Sequence, residues 1–125
     1  MIELLTALVI TLVLLTLALP GYQAYRHRVE RVLAAQGLQQ AAQCFGAQQL
    51  LGNNSEPNHC LPVATGTYEF RFVPLTGGLQ PGHEWRAEPV GSQRGDGCGT
   101  LVLDHLGRRS VLGTPARGVS CWRGR

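Results

Sequence analysis

Met1–Leu19, reading MIELLTALVITLVLLTLAL ahead of Pro20, is the stretch on which the fold turns. It is apolar apart from Thr6, Thr11, Thr16 and one carboxylate, Glu3. A helix needs roughly 20 such residues to cross the hydrocarbon core of a bilayer. A cleaved signal peptide would carry a basic start, a shorter apolar core and a small-residue cleavage site, and this stretch has none of them. A helix buried in a soluble protein rarely stays apolar on every face for five turns. The stretch is therefore expected to be a membrane helix. A charge inside such a helix costs about 2.5–3.5 kcal/mol on insertion scales, so Glu3 is expected to serve a partner rather than the lipid.

The helix should not end at Leu19. Pro20 removes a backbone hydrogen bond and Gly21 loosens the turn, so a bend is expected there. A 3.6-residue pattern then resumes with Tyr22, Tyr25, Val29, Val32 and Leu33, followed by Leu38, Ala41, Ala42 and Phe45. It stops at Leu51, before Gly52 and Asn53. One helix of about 50 residues would be ~75 Å long, whereas a globule of about 100 residues is only ~35 Å across. About half of it must project. The amphipathic part, 22–51, is expected to cover one face of a sheet.

Residues 52–66 are rich in Gly, Asn, Ser and Pro and read as a connector. Strands follow. Thr67–Val73 alternates Tyr68, Phe70 and Phe72 with Glu69 and Arg71, and Pro74 with Gly77-Gly78 should end it. Further strands are expected over Glu84–Val90 (Trp85 and Ala87 inward), Gly99–His105 (Leu101 and Leu103 inward) and Arg108–Leu112. A long helix on a four-stranded antiparallel meander is an α+β arrangement. Its parts are an apolar helix 1–21 and a head 22–125, in which 67–125 holds the sheet and a disulfide-closed C-terminal region.

The order Ile2-Glu3-Leu4-Leu5, then Ala18-Leu19-Pro20-Gly21-Tyr22 and an amphipathic continuation, resembles the N-terminal signature of the type IV pilin family, which includes the type II secretion pseudopilins. The likeness covers about the first 50 residues. A shorter likeness, Cys98–Asp104 with Gly107 and Cys121-Trp122, is similar to minor pilins of type IVa systems. The resemblance implies a filament subunit, pilin or minor pilin, that is assembled through its helix and serves twitching motility, adhesion or DNA uptake. It implies a single pass through the inner membrane with a periplasmic head, then an extracellular pilus. Implied partners are other pilin subunits, the pilus assembly machinery and a prepilin peptidase. Glu3, with Pro20 and Gly21 below the head, takes the assembly role, the acid pairing with the N-terminal amine of a neighbouring subunit. Met1 stands where a mature pilin has its third residue, so a basic leader ending in glycine is expected upstream. Arg26, His27, Arg28 and Arg31 follow the span closely and alone would favour the cytoplasmic side, while the cysteines favour the other. The upstream leader resolves that conflict.

Charge and cysteines complete the reading. The chain has 125 residues and a formal charge of +3, its basic side chains being arginine throughout. Coding bias explains an arginine-only set, and a surface that grips phosphate or carboxylate bidentately is the functional alternative. Four cysteines without a C-x-x-C pair point to two disulfides in an oxidising compartment. Of the three pairings, Cys44–Cys60 and Cys98–Cys121 are expected because each closes one local segment.

Arg117, Arg123 and Arg125 around Trp122, joined by Arg94, Arg108 and Arg109, offer the mix of cation and aromatic ring that grips nucleic-acid backbones. A DNA-receptor minor pilin is thus one alternative reading, a type II secretion pseudopilin is another that the resemblance implies, and a merely solvated basic face is the plain one. No enzyme, metal, cofactor or small-molecule substrate is expected. His59-Cys60 has no second ligand pair at finger spacing, Asp104-His105 with Ser110 or Ser120 lacks a nucleophile elbow, and Gly95–Gly99 lacks a Walker lysine.

Overall fold

A computed structural model describes residues 1–52, 56–77, 81–113 and 118–124. The Asn53-Asn54-Ser55 stretch, Arg117 and Arg125 lie outside them. Helix α1 runs over Ile2–Leu50 and stays helical across Pro20 and Gly21. At 1.5 Å per residue its 49 residues span ~74 Å. It closes where the Leu51 and Gly52 amides donate to the Ala47 and Gln49 carbonyls, Gly52 taking the left-handed conformation (φ 71°) that glycine adopts without penalty.

Strands β1 (Tyr68–Leu75), β2 (Gly82–Pro89), β3 (Thr100–Asp104) and β4 (Arg109–Leu112) form one antiparallel sheet in the order β1-β2-β3-β4. The fold is α+β, a long helix packed on a four-stranded meander. Expected ends move by one or two residues, β2 starting at Gly82 rather than Glu84, and β1 continues through Pro74 to Leu75. β1 is an edge strand, so a residue without an N–H can face outward there and leave no ladder bond missing. A short helix, α2 (Gly118–Trp122), closes the described chain, and 3₁₀ turns occupy Pro57–Cys60 and Gly91–Gln93.

The core lies between the upper part of α1 and the inner sheet face. Ala34, Ala35, Leu38 and Ala41 of the helix meet Tyr68, Trp85, Ala87, Leu101, Leu103 and Val111. The helix contributes mostly small side chains, which lets it lie close to the strands. At Gly37 a Cβ would stand 3.1 Å from the Phe70 ring and from Pro62. Higher up, Phe45 packs edge-on to Trp85 (5.6 Å between ring centres) and tilted to Phe72 (5.7 Å). Such aromatic pairs add ~0.5–1.5 kcal/mol beyond their buried area.

The four cysteines form Cys44–Cys60, which ties the connector to α1, and Cys98–Cys121, which ties the turn before β3 to α2. A buried ion pair, Arg31 Nε to Asp96 Oδ2 at 3.0 Å, joins α1 to that same turn, and Arg31 also donates to Cys98 Sγ at 2.9 Å. The glycine-rich run 95–99 is accordingly a pinned turn.

The outer sheet face carries charge. Glu69 stands opposite Glu88 and Arg71 opposite Arg86, a register that sets like charges side by side. Ion pairs relieve it: Arg71 reaches Glu69 (3.2 Å) and Glu88 (3.3 Å), and Arg86 reaches Glu84 (2.9 Å).

Candidate functional site: the projecting helix and the base of the head

Every residue from Met1 to Arg26 is exposed. At 1.5 Å per residue these make ~39 Å of helix, of which only the last turn, at Gln23 and Arg26, borders the head. This segment is long and apolar enough to cross a membrane, and none of its apolar window is buried by the chain itself. Its threonines fit such a setting, because Thr6, Thr11 and Thr16 turn their hydroxyls back to the carbonyls of Glu3, Leu8 and Val13 at 2.7–2.9 Å. Within Met1–Leu19 that leaves Glu3 as the ionisable side chain. Among the described residues no cation lies within ion-pair distance of it.

The amphipathic stripe divides in a way its periodicity does not show. Tyr22 and Tyr25 are 65% and 62% exposed, Leu33 is 54% exposed, and the sheet covers α1 continuously only from Ala34 upward. The expectation that 22–51 closes the sheet is corrected to the part from Ala34 to Phe45, Leu50 and Leu51 being exposed again. The reason is length: strands of four to eight residues cannot cover the whole stripe.

Polar contacts fix the base of the head to the helix. Gln93, 1% exposed, donates from Nε2 to the His27 carbonyl (2.9 Å) and to the Tyr68 hydroxyl (3.4 Å), and its Oε1 takes a bond from His27 Nδ1. Burial pushes the Tyr68 phenol up to about 12, against the Gln93 bond, which lowers it. Thr67 donates to Glu30 Oε2 at 3.0 Å. Sequence reading missed Gln93, whose partner is 66 positions away. A lone glutamine after Val90-Gly91 gives no local signal of its role.

Of the basic residues grouped as a nucleic-acid surface, Arg109 lies over Trp122, the sequence neighbour of Arg123, while Arg117 and Arg125 fall outside the described residues and Arg108 stands apart. Arg108 pairs with Asp104 at 2.6 Å in the β3–β4 turn, beside α1 residues 42–49. Arg123 lies beside α1 residues 28–36, ~20 Å lower along the helix axis at 1.5 Å per residue. Trp122 turns inward: the residue is 7% exposed, its Nε1 donates to the Ser110 carbonyl at 2.9 Å, and Arg109 lies 5.6 Å from the ring centre. It offers no face on which a base could stack.

At the top of the head, His83 packs against Phe45, Phe72 and Trp85 and faces His105 at 5.8 Å. Burial holds its imidazole below the usual range, with His105 adding to the effect and Asp104 opposing it. The Asp104 carboxyl is partly desolvated, which raises it. Bonds from Arg108 and the Leu106 amide outweigh that and hold it below the usual carboxylate range. This carboxylate organises a turn. Among the described residues no group of three His, Cys, Asp or Glu side chains converges on one point.

The chain matches no protein-family model, no curated protein and no solved structure.

Proposed function

We propose that this chain is a structural subunit, pilin or minor pilin, of a type IV pilus. It is held in the inner membrane by residues 1–21 with its head on the periplasmic side, and then polymerised through the same helix into an extracellular filament. The observation that carries the proposal is the run of 26 exposed residues at the start of a continuous helix whose upper part is locked into the head. An apolar rod of that length needs an apolar environment. Lipid supplies one before assembly and the rods of neighbouring subunits supply another after it. Other pilin subunits, the assembly machinery and a prepilin peptidase are the partners this reading requires.

Glu3 supports a filament over a simple anchor. A carboxylate within an apolar segment and without a counter-charge among the described residues is stabilised when another subunit brings one. The test is Glu3→Ala in cells that build the filament. The variant should keep an oxidised, folded head in the membrane and be depleted about tenfold or more from sheared filaments, the loss of one buried charge pair amounting to several kcal/mol. Incorporation at the wild-type level would remove the assembly role of Glu3. A full-length protein that stays monomeric and soluble without detergent would remove the whole proposal.

A further inference from the structure

The basic residues at the foot of the head are unlike the others. Elsewhere in the described chain Arg31, Arg71, Arg86 and Arg108 are each paired with a carboxylate, and Arg109 lies over the Trp122 ring. Arg26, Arg28, Arg94 and Arg123 are exposed, and none of them makes an ion pair among the described residues. Glu30 on the same helix accepts from the Thr67 hydroxyl, and Asp96 pairs with Arg31.

The fold places these four on both flanks of α1. Arg26 and Arg28 are about 200° apart around the helix at 3.6 residues per turn. Gln93 clamps the Gly91–Gln93 turn to His27 beside Arg26, and Arg94 follows that turn directly in the chain. There Gln23, Arg26, His27, Ser92 and Gln93 line an open groove of about 300 Å³. On the other flank Gly124 packs so closely against Arg28 and Val32 that an added Cβ would stand 3.1 Å from Arg28 Cγ, and Arg123 shares a second groove with Arg28.

We propose that Arg26, Arg28, Arg94 and Arg123 form a collar that docks the foot of the head on anionic phospholipid headgroups around the helix. This rests on the reading of the apolar segment as a bilayer-crossing helix. If the hydrocarbon ends near Leu19, Tyr22 and Tyr25 lie ~5–9 Å beyond it, in the zone where exposed aromatic side chains collect. Arg26 and Arg28 lie ~10–14 Å beyond it, and helical side chains lean toward the N-terminus, here toward the membrane. Phosphate groups therefore come within a Debye length, ~8 Å at physiological salt. Guanidinium groups suit them because they bind phosphate oxygens bidentately. Lipid is the better occupant than duplex DNA because the collar encircles the root of the apolar helix, a position a duplex would have to share with the bilayer.

The experiment uses the full chain inserted into vesicles of phosphatidylcholine alone or mixed with phosphatidylglycerol, with arginine reactivity toward phenylglyoxal read residue by residue by mass spectrometry. Carbonate-resistant insertion is expected in both lipids. Arg26, Arg28, Arg94 and Arg123 should react about fivefold more slowly in the anionic vesicles, while Arg71 and Arg86 react equally in both, the interaction being worth ~1 kcal/mol per arginine near the surface. High salt should erase the protection. Inorganic phosphate added to neutral vesicles should give none, which distinguishes a headgroup surface from a free anion. Insertion with unchanged reactivity in both lipids would overturn the collar and leave the membrane reading standing. Failure to insert in either would overturn both. Protection of the same four arginines by duplex DNA on neutral vesicles, with none from phosphatidylglycerol, would overturn the lipid assignment in favour of nucleic acid.

Discussion

Residues 2–26 and 27–50 of α1 share one hydrogen-bonding pattern, but the first group buries no side chain and the second buries Ala34, Ala35, Leu38 and Ala41. The upper half is held by its own sheet and by Cys44–Cys60. The lower half satisfies its backbone and its threonine hydroxyls internally and leaves large apolar side chains for something outside the chain. A helical pattern thus fixes conformation along its whole length, while what covers the helix changes midway. Head stability and membrane or filament behaviour should consequently respond to separate sets of substitutions.

The sharpest break is Asp96→Ala, which strands the Arg31 guanidinium in the interior and should cost the head about 4 kcal/mol in denaturant unfolding. The double change Arg31→Met, Asp96→Leu should cost much less, and an equal cost would refute the assignment to an uncompensated charge. Next, Leu38→Ala should lose about 3 kcal/mol, since the side chain is fully buried. Leu12→Ala, in the exposed half, should leave the unfolding midpoint of the head in place, and a comparable loss there would show that the two halves are not independent. Cys98→Ser with Cys121→Ser opens a loop with a sequence separation of 23 and should lose about 3 kcal/mol by chain-entropy arithmetic.

A smaller effect is expected from pH. The folded state holds His83 below its ordinary value, so the unfolded chain binds a proton first as pH falls. The contribution is whole above the unfolded value, near pH 6.5, and is lost as pH falls through it toward the lower folded value. Thermal melts from pH 7.5 to 5 should show a falling midpoint that His83→Gln flattens. An unchanged slope in that variant would assign the dependence elsewhere. The least effect belongs to Arg71→Ala on the solvated sheet face, expected within about 1 kcal/mol of wild type in the same melts.

The long helix, the four strands and their inward residues were legible because each is a local periodicity. Tyr68, Trp85, Ala87, Leu101 and Leu103 are buried as alternation implies. Both disulfides were legible because each closes a short local loop. What stayed hidden depends on distant neighbours. Arg31 reads as one more cation after an apolar span until the fold sets Asp96 beside it. Tyr22, Tyr25 and Leu33 read as core until the sheet proves too short to reach them. Trp122 among arginines reads as a stacking surface, yet the ring turns inward and bonds a strand carbonyl. Val102 sits on the nominally outward side of β3, between Arg86 and Ser110 in the register, and is 2% exposed. For the candidate site the apolar segment and Glu3 could be found by inspection. The grouping of Arg94 and Arg123 with Arg26 and Arg28 could not, because it needs the Gln93 clamp and the Gly124 contact.

The two borders of the sheet lead to a separate consequence. On one side Pro74 and the flanking charges deny a full row of donors to any incoming ribbon, and on the other β4 is only four residues long and Trp122 occupies the Ser110 carbonyl. Stray lamination from chain to chain is therefore discouraged where molecules crowd together. On the reading proposed above, association between copies then falls to the exposed rod.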